Sequence, residues 1–318
     1  TLFIILMILV QLAVLCFGFT KLGESFSYIT EGMSLLGALL VIFIVNRDGA
    51  PEFKMTWCIL ICLLPVFGAL IYLFVELNLG GIGLKARTYV RLKETEGLLF
   101  ATERTKEAVA GSRADFRGFA RYVEGTVGFP AYQGSEAVYY PSGEDKFKDL
   151  LKELQKAERF IFLEYFIMER GIMWNAILDI LKEKVKQGVE VRVMYDGMCS
   201  IMLLPYGYPS ELEKYGIKAK MFAPIRPFLS TNQNNRDHRK IVVIDGKVAF
   251  TGGVNLADEY INEKEVYGHW KDTAVKITGE AVRSFTVMYL QMWHVSENGA
   301  ADEYEKYLQN IVFDKPLK

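Results

Sequence analysis

The run His238-Arg-Lys240-Ile-Val-Val-Ile-Asp245-Gly-Lys-Val-Ala-Phe-Thr-Gly252-Gly253-Val-Asn255 carries both the fold and the chemistry of this chain. Two stretches rich in β-branched residues, Lys240–Ile244 and Lys247–Phe250, flank Asp245-Gly246, a hairpin signal. A strand period of two puts His238 and Lys240 on one face, one pleat apart. An imidazole beside an ammonium suits a phosphate centre. Neutral imidazole can attack phosphorus, and the ammonium can hold the non-bridging oxygens where negative charge grows. Gly252 and Gly253 would let backbone N–H groups close on an anion, and Asn255 adds a neutral donor. Asp245 has the opposite parity. Its expected task is to orient or charge-balance the basic pair, unless it only opens the Asp-Gly turn. Each residue alone is commonplace; the combination at fixed spacing carries the argument.

Around this run, residues 135–318 read as alternating α/β. Phe147, Leu150, Leu151 and Leu154 fall at helical spacing. Phe160–Ile167 is β-rich, Ile172–Gln187 is helical and stops at Gly188, and Val189–Tyr195 alternates as a strand. A strand–helix–strand unit of that length makes parallel neighbours. Ser210 with Glu213 reads as a capping-box start before the strand Ile217–Phe222. Asp272–Thr278 is a further strand, and Glu280–Val295 a helix with Val282, Phe285, Tyr289 and Met292 on one face.

The N-terminal quarter has a different character. Leu2–Phe19, Met33–Val45 and Met55–Val75 are apolar runs, and a spanning helix needs about 20 apolar residues. Residues 1–75 are therefore expected to be a membrane anchor of two to three transmembrane helices. Their spacing fits poorly with a cleaved signal peptide. The short flanks set the orientation. Lys85, Arg87, Arg91 and Lys93 follow the last run, against Arg47 and Lys54 before it, which favours a cytoplasmic catalytic domain. Residues 76–134 read as a juxtamembrane linker, helical over Leu84–Phe119, lying over the membrane or the globular domain.

Charge narrows the partners. Of 37 Lys and Arg and 38 Asp and Glu, three and four fall in residues 1–75, leaving 34 of each in residues 76–318. That balance argues against a nucleic-acid partner. Disorder and a disulfide scaffold are excluded by a 51% hydrophobic chain with four cysteines. Cys16, Cys58, Cys62 and Cys199 sit in or beside apolar runs and read as small packing residues, with no metal-ligand spacing.

The H-x-K-x4-D signature with its trailing G-G-x-N resembles the phospholipase D superfamily. The apolar N-terminus, Phe162-Leu-Glu-Tyr-Phe-Ile167, Glu190–Gly197 and His269-Trp-Lys-Asp-Thr273 make the likeness one to bacterial cardiolipin synthases over essentially the whole chain. The resemblance implies a phospholipase D-like α/β sandwich repeat with a mixed sheet in residues 135–318. It further implies His238 as one of two active-site histidines, Lys240 as a phosphate ligand and Asp245 as the third signature residue. Such enzymes move a phosphatidyl group between two phosphatidylglycerol molecules through a phosphohistidine, releasing glycerol, without metal or cofactor. They pair two signature motifs around one site. Here neither His269 nor His294 opens a full H-x-K-x4-D signature, so both read as structural and the chain as an N-terminal half. A C-terminal repeat or a homodimer would complete it. A membrane-tethered phosphodiesterase or nuclease, and an inactive membrane scaffold, are the competing readings.

Overall fold

Phe160–Tyr165 has all six side chains buried, as expected of a strand covered on both faces. The computed structural model describes residues 24–77, 79–199, 203–224, 235–295, 301–309 and 311, with positions 6, 9, 10 and 13. The chain divides into two compact units, Thr1–Gly83 with Arg226–Asn234, and Leu84–Ile225 with Asn235–Lys318.

The larger unit holds the strands β1 (Ser135–Tyr140), β2 (Phe160–Tyr165), β3 (Glu190–Asp196), β4 (Lys218–Phe222), β5 (Ile241–Ile244), β6 (Val248–Gly252) and β7 (Ala274–Gly279). They form one mixed sheet in the order β1-β7-β6-β5-β2-β3-β4. β2, β3 and β4 run parallel, and every other pair is antiparallel. The β2–β3 pair is the expected strand–helix–strand unit. The Asp245-Gly246 turn forms with both residues at positive φ, 53° and 69°, the twist a tight hairpin requires.

Alternation along the strands sorts side chains into two cores. Ile161, Leu163, Val191, Val193, Val242 and Ile244 face one layer, where Leu150, Leu154, Trp174, Ile177 and Leu181 cover them. Those residues belong to Gly143–Gln155 and Ile172–Lys186. Phe160, Phe162, Met194, Ile241 and Val243 face the other, under Tyr289, Leu290, Trp293, Tyr304 and Tyr307 of Val282–His294 and Ala301–Leu308. The architecture is a mixed-sheet α/β sandwich. Ser210 does not cap a helix. It lies inside Tyr208–Glu213, whose start is set by Gly207 and the proline beside it.

The smaller unit contains α1 (Glu24–Asn46), α2 (Pro51–Leu63) and α3 (Pro65–Leu77). The single span expected over Met55–Val75 does not form. Pro65 disfavours a helical Leu64, which sits at φ −134° and ψ 74°, and the run breaks into two 13-residue helices. Each is about 20 Å long, short of a ~30 Å hydrocarbon core. At the bend Gly68 comes against the Ile61 backbone so closely that a Cβ there would lie 2.7 Å from the Ile61 Cα. Ile44, Ile61 and Tyr72 form the centre of this unit, and Arg47 pairs with Glu76. Among the described residues no helix is long and apolar enough to cross a membrane. Met33–Val45 lies within α1, and Leu2–Phe19 falls almost wholly outside the described residues.

The linker becomes α4 (Leu79–Glu94), α5 (Glu103–Ala110) and α6 (Ala114–Val127); the helices after β1 and β2 are α7 (Gly143–Gln155) and α8 (Ile172–Lys186). Tyr208–Glu213 is α9, Val282–His294 α10 and Ala301–Leu308 α11.

Lys146 of α7 is 2% exposed, and its Nζ donates to the Tyr165 hydroxyl at 2.9 Å. Burial pushes its pKa down to about 7, from 10.5. Between those values the unfolded chain binds a proton that the folded chain lacks, so this group makes stability rise with pH across that window. Lys146→Met is expected to raise stability at pH 7 by up to a few kcal/mol, with the gain shrinking towards about pH 10. Thermal unfolding in detergent at several pH values checks this. A variant no more stable than its parent at neutral pH would show that the buried amine is not strained.

Candidate active site

β2 and β3 end at Tyr165 and Asp196, and the antiparallel β5 begins at Ile241, so residues 166–169, 196–199 and 237–240 meet at one edge of the sheet. That edge, at the carboxyl ends of parallel strands, is where open α/β sheets bind ligands. His238 and Lys240 lie in the extended residues just before β5. The structure brings them together. The Lys240 Nζ donates to the His238 carbonyl at 2.6 Å and stands 5.3 Å from the Phe166 ring centre, while the His238 ring lies 4.7 Å from the same ring. Phe166 is therefore a shared platform that no motif announced.

Accessibility divides the pair. His238 is exposed, whereas Lys240 is 6% exposed. Burial lowers the Lys240 pKa, and the nearby charges of Asp237 and Asp272 act against that shift. An incoming anion would add to their effect and hold the amine protonated. The arrangement offers a reachable imidazole beside a fixed cation, which is what displacement at a phosphate ester needs.

Asp245 does something other than balance this pair. It is at the opposite end of β5, and its carboxylate accepts the backbone N–H groups of Glu158, Arg159 and Phe160 at 2.7–2.8 Å. Its oxygens fasten the β5–β6 turn to the start of β2. The glycines also take another role. The Gly253 N–H is spent on the Thr273 carbonyl at 3.0 Å, and a Cβ at Gly253 would collide with the Asp272 carboxylate. Gly252 has φ 145° and presses on the backbone at Thr273-Ala274. These two residues let β6 and the chain before β7 close up, and the Gly253 N–H is spent on that contact. Asn255 is 3% exposed, accepts from the Ile167 N–H at 3.0 Å and donates to the Tyr260 hydroxyl at 2.8 Å. One amide hydrogen remains beyond those two bonds.

Three polar residues that the sequence reading passed over hold the catalytic segment. Asp196, fully buried at the end of β3, accepts from the Asp237 N–H at 2.9 Å and from the Arg236 guanidinium at 3.2 Å. Arg239 points to the other face of the sheet, pairing with Glu164 at 2.5 Å and Asp237 at 3.2 Å. Burial drives the Glu164 carboxyl well above the usual carboxylate range, against the pull of Arg239 and with a push from Asp237. The visible signal was one carboxylate inside the apolar run Phe160–Ile167. Of the other histidines, His269 is exposed in the loop before β7, and His294 is buried at the end of α10 beside Tyr304. Cys199 is a buried packing residue, donating to the Phe166 carbonyl at 3.1 Å.

Comparison with known proteins agrees in kind. Residues 150–293 match the family model described as cardiolipin synthase, PLD-like domain, and residues 35–76 match phospholipase D-nuclease N-terminal. An uncharacterized protein of Streptococcus mutans is 46% identical over 268 residues, 84% of this chain and 58% of that protein. The cardiolipin synthase of Alkalihalophilus pseudofirmus is 33% identical over 272 residues, 82% of this chain and 52% of that protein. Among solved structures, NucT from Helicobacter pylori is similar at TM-score 0.40 and 16% identity, covering 51% of this chain and 97% of that one. The chain thus spans about half the length of the curated relatives it matches.

The three bonds to Asp245 predict a stability defect at this signature position. Asp245→Ala strands three N–H groups and is expected to cost about 2–4 kcal/mol. Asp245→Asn keeps one acceptor oxygen and tolerates positive φ, so it should cost less. Thermal melts of both variants check the order. An Asp245→Ala protein as stable as its parent would overturn the anchoring role.

Proposed function

We propose that this chain, which belongs to the cardiolipin synthase family of phospholipase D-like proteins, supplies one half-site of a phosphatidyl transferase acting between two phosphatidylglycerol molecules. The observation that carries the reading is the exposed His238 imidazole beside the buried Lys240 ammonium, both against Phe166.

In this reading an imidazole nitrogen attacks the phosphorus of the donor lipid, the bond from phosphorus to the glycerol oxygen breaks, and that oxygen takes a proton from an acid. A hydroxyl of a second phosphatidylglycerol, losing its proton to the same group, then displaces the imidazole to give cardiolipin. Lys240 holds the non-bridging oxygens through both steps, with Asn255 as a neutral donor in this proposal. One imidazole cannot both bond to phosphorus and shuttle the leaving-group proton, so a second acid–base group is required. His294 is buried at the end of α10, and His269, exposed in the loop before β7, opens no full H-x-K-x4-D signature. The second group comes from a further repeat or a second copy, and His238 fills one of the two roles.

The smaller unit anchors the chain in the membrane in this proposal. Its described helices leave Leu35, Leu39, Ile42, Phe43, Ile59 and Leu63 exposed, a surface suited to lipid. The basic residues after α3 favour a cytoplasmic position for the catalytic unit.

His238→Ala and Lys240→Ala should each abolish cardiolipin formation from labelled phosphatidylglycerol, while the protein stays folded in the membrane. Charge at the phosphate comes from Lys240, so EDTA should leave activity unchanged. A requirement for added divalent ion would overturn this mechanism. The purified monomeric chain should be nearly inactive and gain activity when a second motif is supplied. Full activity that does not vary with dilution, from a proven monomer, would overturn the two-group model.

A further inference from the structure

Helix α6 is the one helix of the larger unit whose described side chains include none that is buried while several large apolar ones stand exposed along a stripe. Phe116, Phe119, Val123 and Val127 recur at helical spacing, and Tyr122 stands at the rim; Phe119 and Tyr122 are 66% and 68% exposed. Arg121 lies on the other side of the helix, and Arg117 donates to the Ala110 and Ser112 carbonyls at 2.9 and 3.2 Å. This narrow aromatic-apolar stripe under a polar, arginine-bearing back has the make-up of a helix that lies flat in a headgroup layer.

Two further observations select the occupant. Although residues 76–318 balance to zero, residues 84–127 carry nine Lys and Arg against six Asp and Glu, and that excess of three falls on α4, with Lys85, Arg87, Arg91 and Lys93 against Glu94, while α6 is itself neutral. The segment is also held at both ends to one helix. Gln291 of α10 donates to the Thr95 hydroxyl at 2.6 Å, and Ser284 of α10 bonds the Tyr132 hydroxyl at 3.1 Å. Residues 96–131 thus leave α10 and return to it, presenting α6 outward from a fixed base. In the covalent chain they follow α4, which continues from the apolar helices of the smaller unit.

We infer that α6 is an interfacial helix that docks the catalytic unit on an anionic phospholipid surface, with Phe116, Phe119 and Val123 in the acyl boundary and the exposed Lys85 and Arg87 of α4 at the phosphates. The inference rests on the membrane placement proposed above, but not on the transfer chemistry. Docking holds the catalytic unit at the depth where its lipid substrate presents its phosphate.

The test uses the full chain in nanodiscs of phosphatidylglycerol or of phosphatidylcholine. Single cysteines at Phe119→Cys and, on the opposite face, Gly125→Cys are introduced with Cys16, Cys58, Cys62 and Cys199 replaced by alanine, and labelled with a fluorophore. In phosphatidylglycerol the label at 119 should be several-fold less accessible to a water-soluble quencher than that at 125, and quenched by a lipid-borne one. In phosphatidylcholine the difference should shrink. In the unaltered chain, tryptic cleavage at Arg117 and Arg121 should likewise be several-fold slower in phosphatidylglycerol. Equal accessibility of 119 and 125 in phosphatidylglycerol, or shielding of 119 that leaves its label unquenched by the lipid-borne quencher and so comes from protein, would overturn the inference. His238→Ala should show the same shielding, and because shielding is read without turnover, failure of docking is distinguished from failure of the transferase reading.

Discussion

The site depends on the register of β5 against β2, and the carboxylate of Asp245 is the clamp that sets it. Side chains of a strand alternate between faces, so a slip of one residue would exchange every inward position for an outward one. Here the exchange would turn Lys240 towards α10 and bring Arg239 to the anion side. Asp245 prevents it at one end by taking three consecutive N–H groups at the start of β2. Arg239, paired to Glu164 through the sheet's other face, prevents it at the opposite end. Between the two fastenings lie three apolar pairs, Ile161 with Ile244, Phe162 with Val243 and Leu163 with Val242, and the register closes at Glu164 with Ile241.

This division explains why so much charge is buried around a site with few exposed groups. Buried ion pairs seldom gain net stability over apolar packing, because desolvation offsets attraction. Their use lies in specificity of arrangement. Asp196, Asp237, Arg239 and Glu164 contact one another or the backbone of the catalytic segment, and only His238 of residues 237–240 is left exposed. The reacting group is presented on a rigid strand end whose neighbours cannot rearrange without unpairing a buried charge.

Much of this was legible from residue order. Strand periodicity located β2, β3 and β5 to β7, and the Asp-Gly turn followed from its dipeptide. The pairing of His238 with Lys240 followed from parity. What escaped was whatever depended on a neighbour distant in the chain. Parity said that Asp245 points away from the basic pair, but not that β2 begins within its reach. Glycines at 252 and 253 fit an anion loop and a close strand contact equally well, and only Asp272 and Thr273 decide for the contact. The edge strand β1, Ser135–Tyr140, was overlooked because five of its six residues are exposed and carry no apolar alternation. The break at Leu64-Pro65 was hidden by counting apolar residues, a measure blind to the N–H that proline lacks.

The burial pattern also constrains where a complementary group can enter. Lys240 is enclosed by Phe166 and the His238 carbonyl, and Asn255 by Ile167 and Tyr260, so their open sides are few. The His238 ring lies tilted against Phe166 and is exposed. A second acid–base group must therefore approach His238 from outside the sheet edge, because the interior side is occupied by the strand ends themselves. A substrate phosphate has to occupy the same approach, within reach of the buried amine. Phosphate and partner group would then meet on the exposed side of one imidazole, with the cation beneath. In the proposed reaction, that geometry would let a single half-site bind an anion while leaving proton transfer dependent on a second motif.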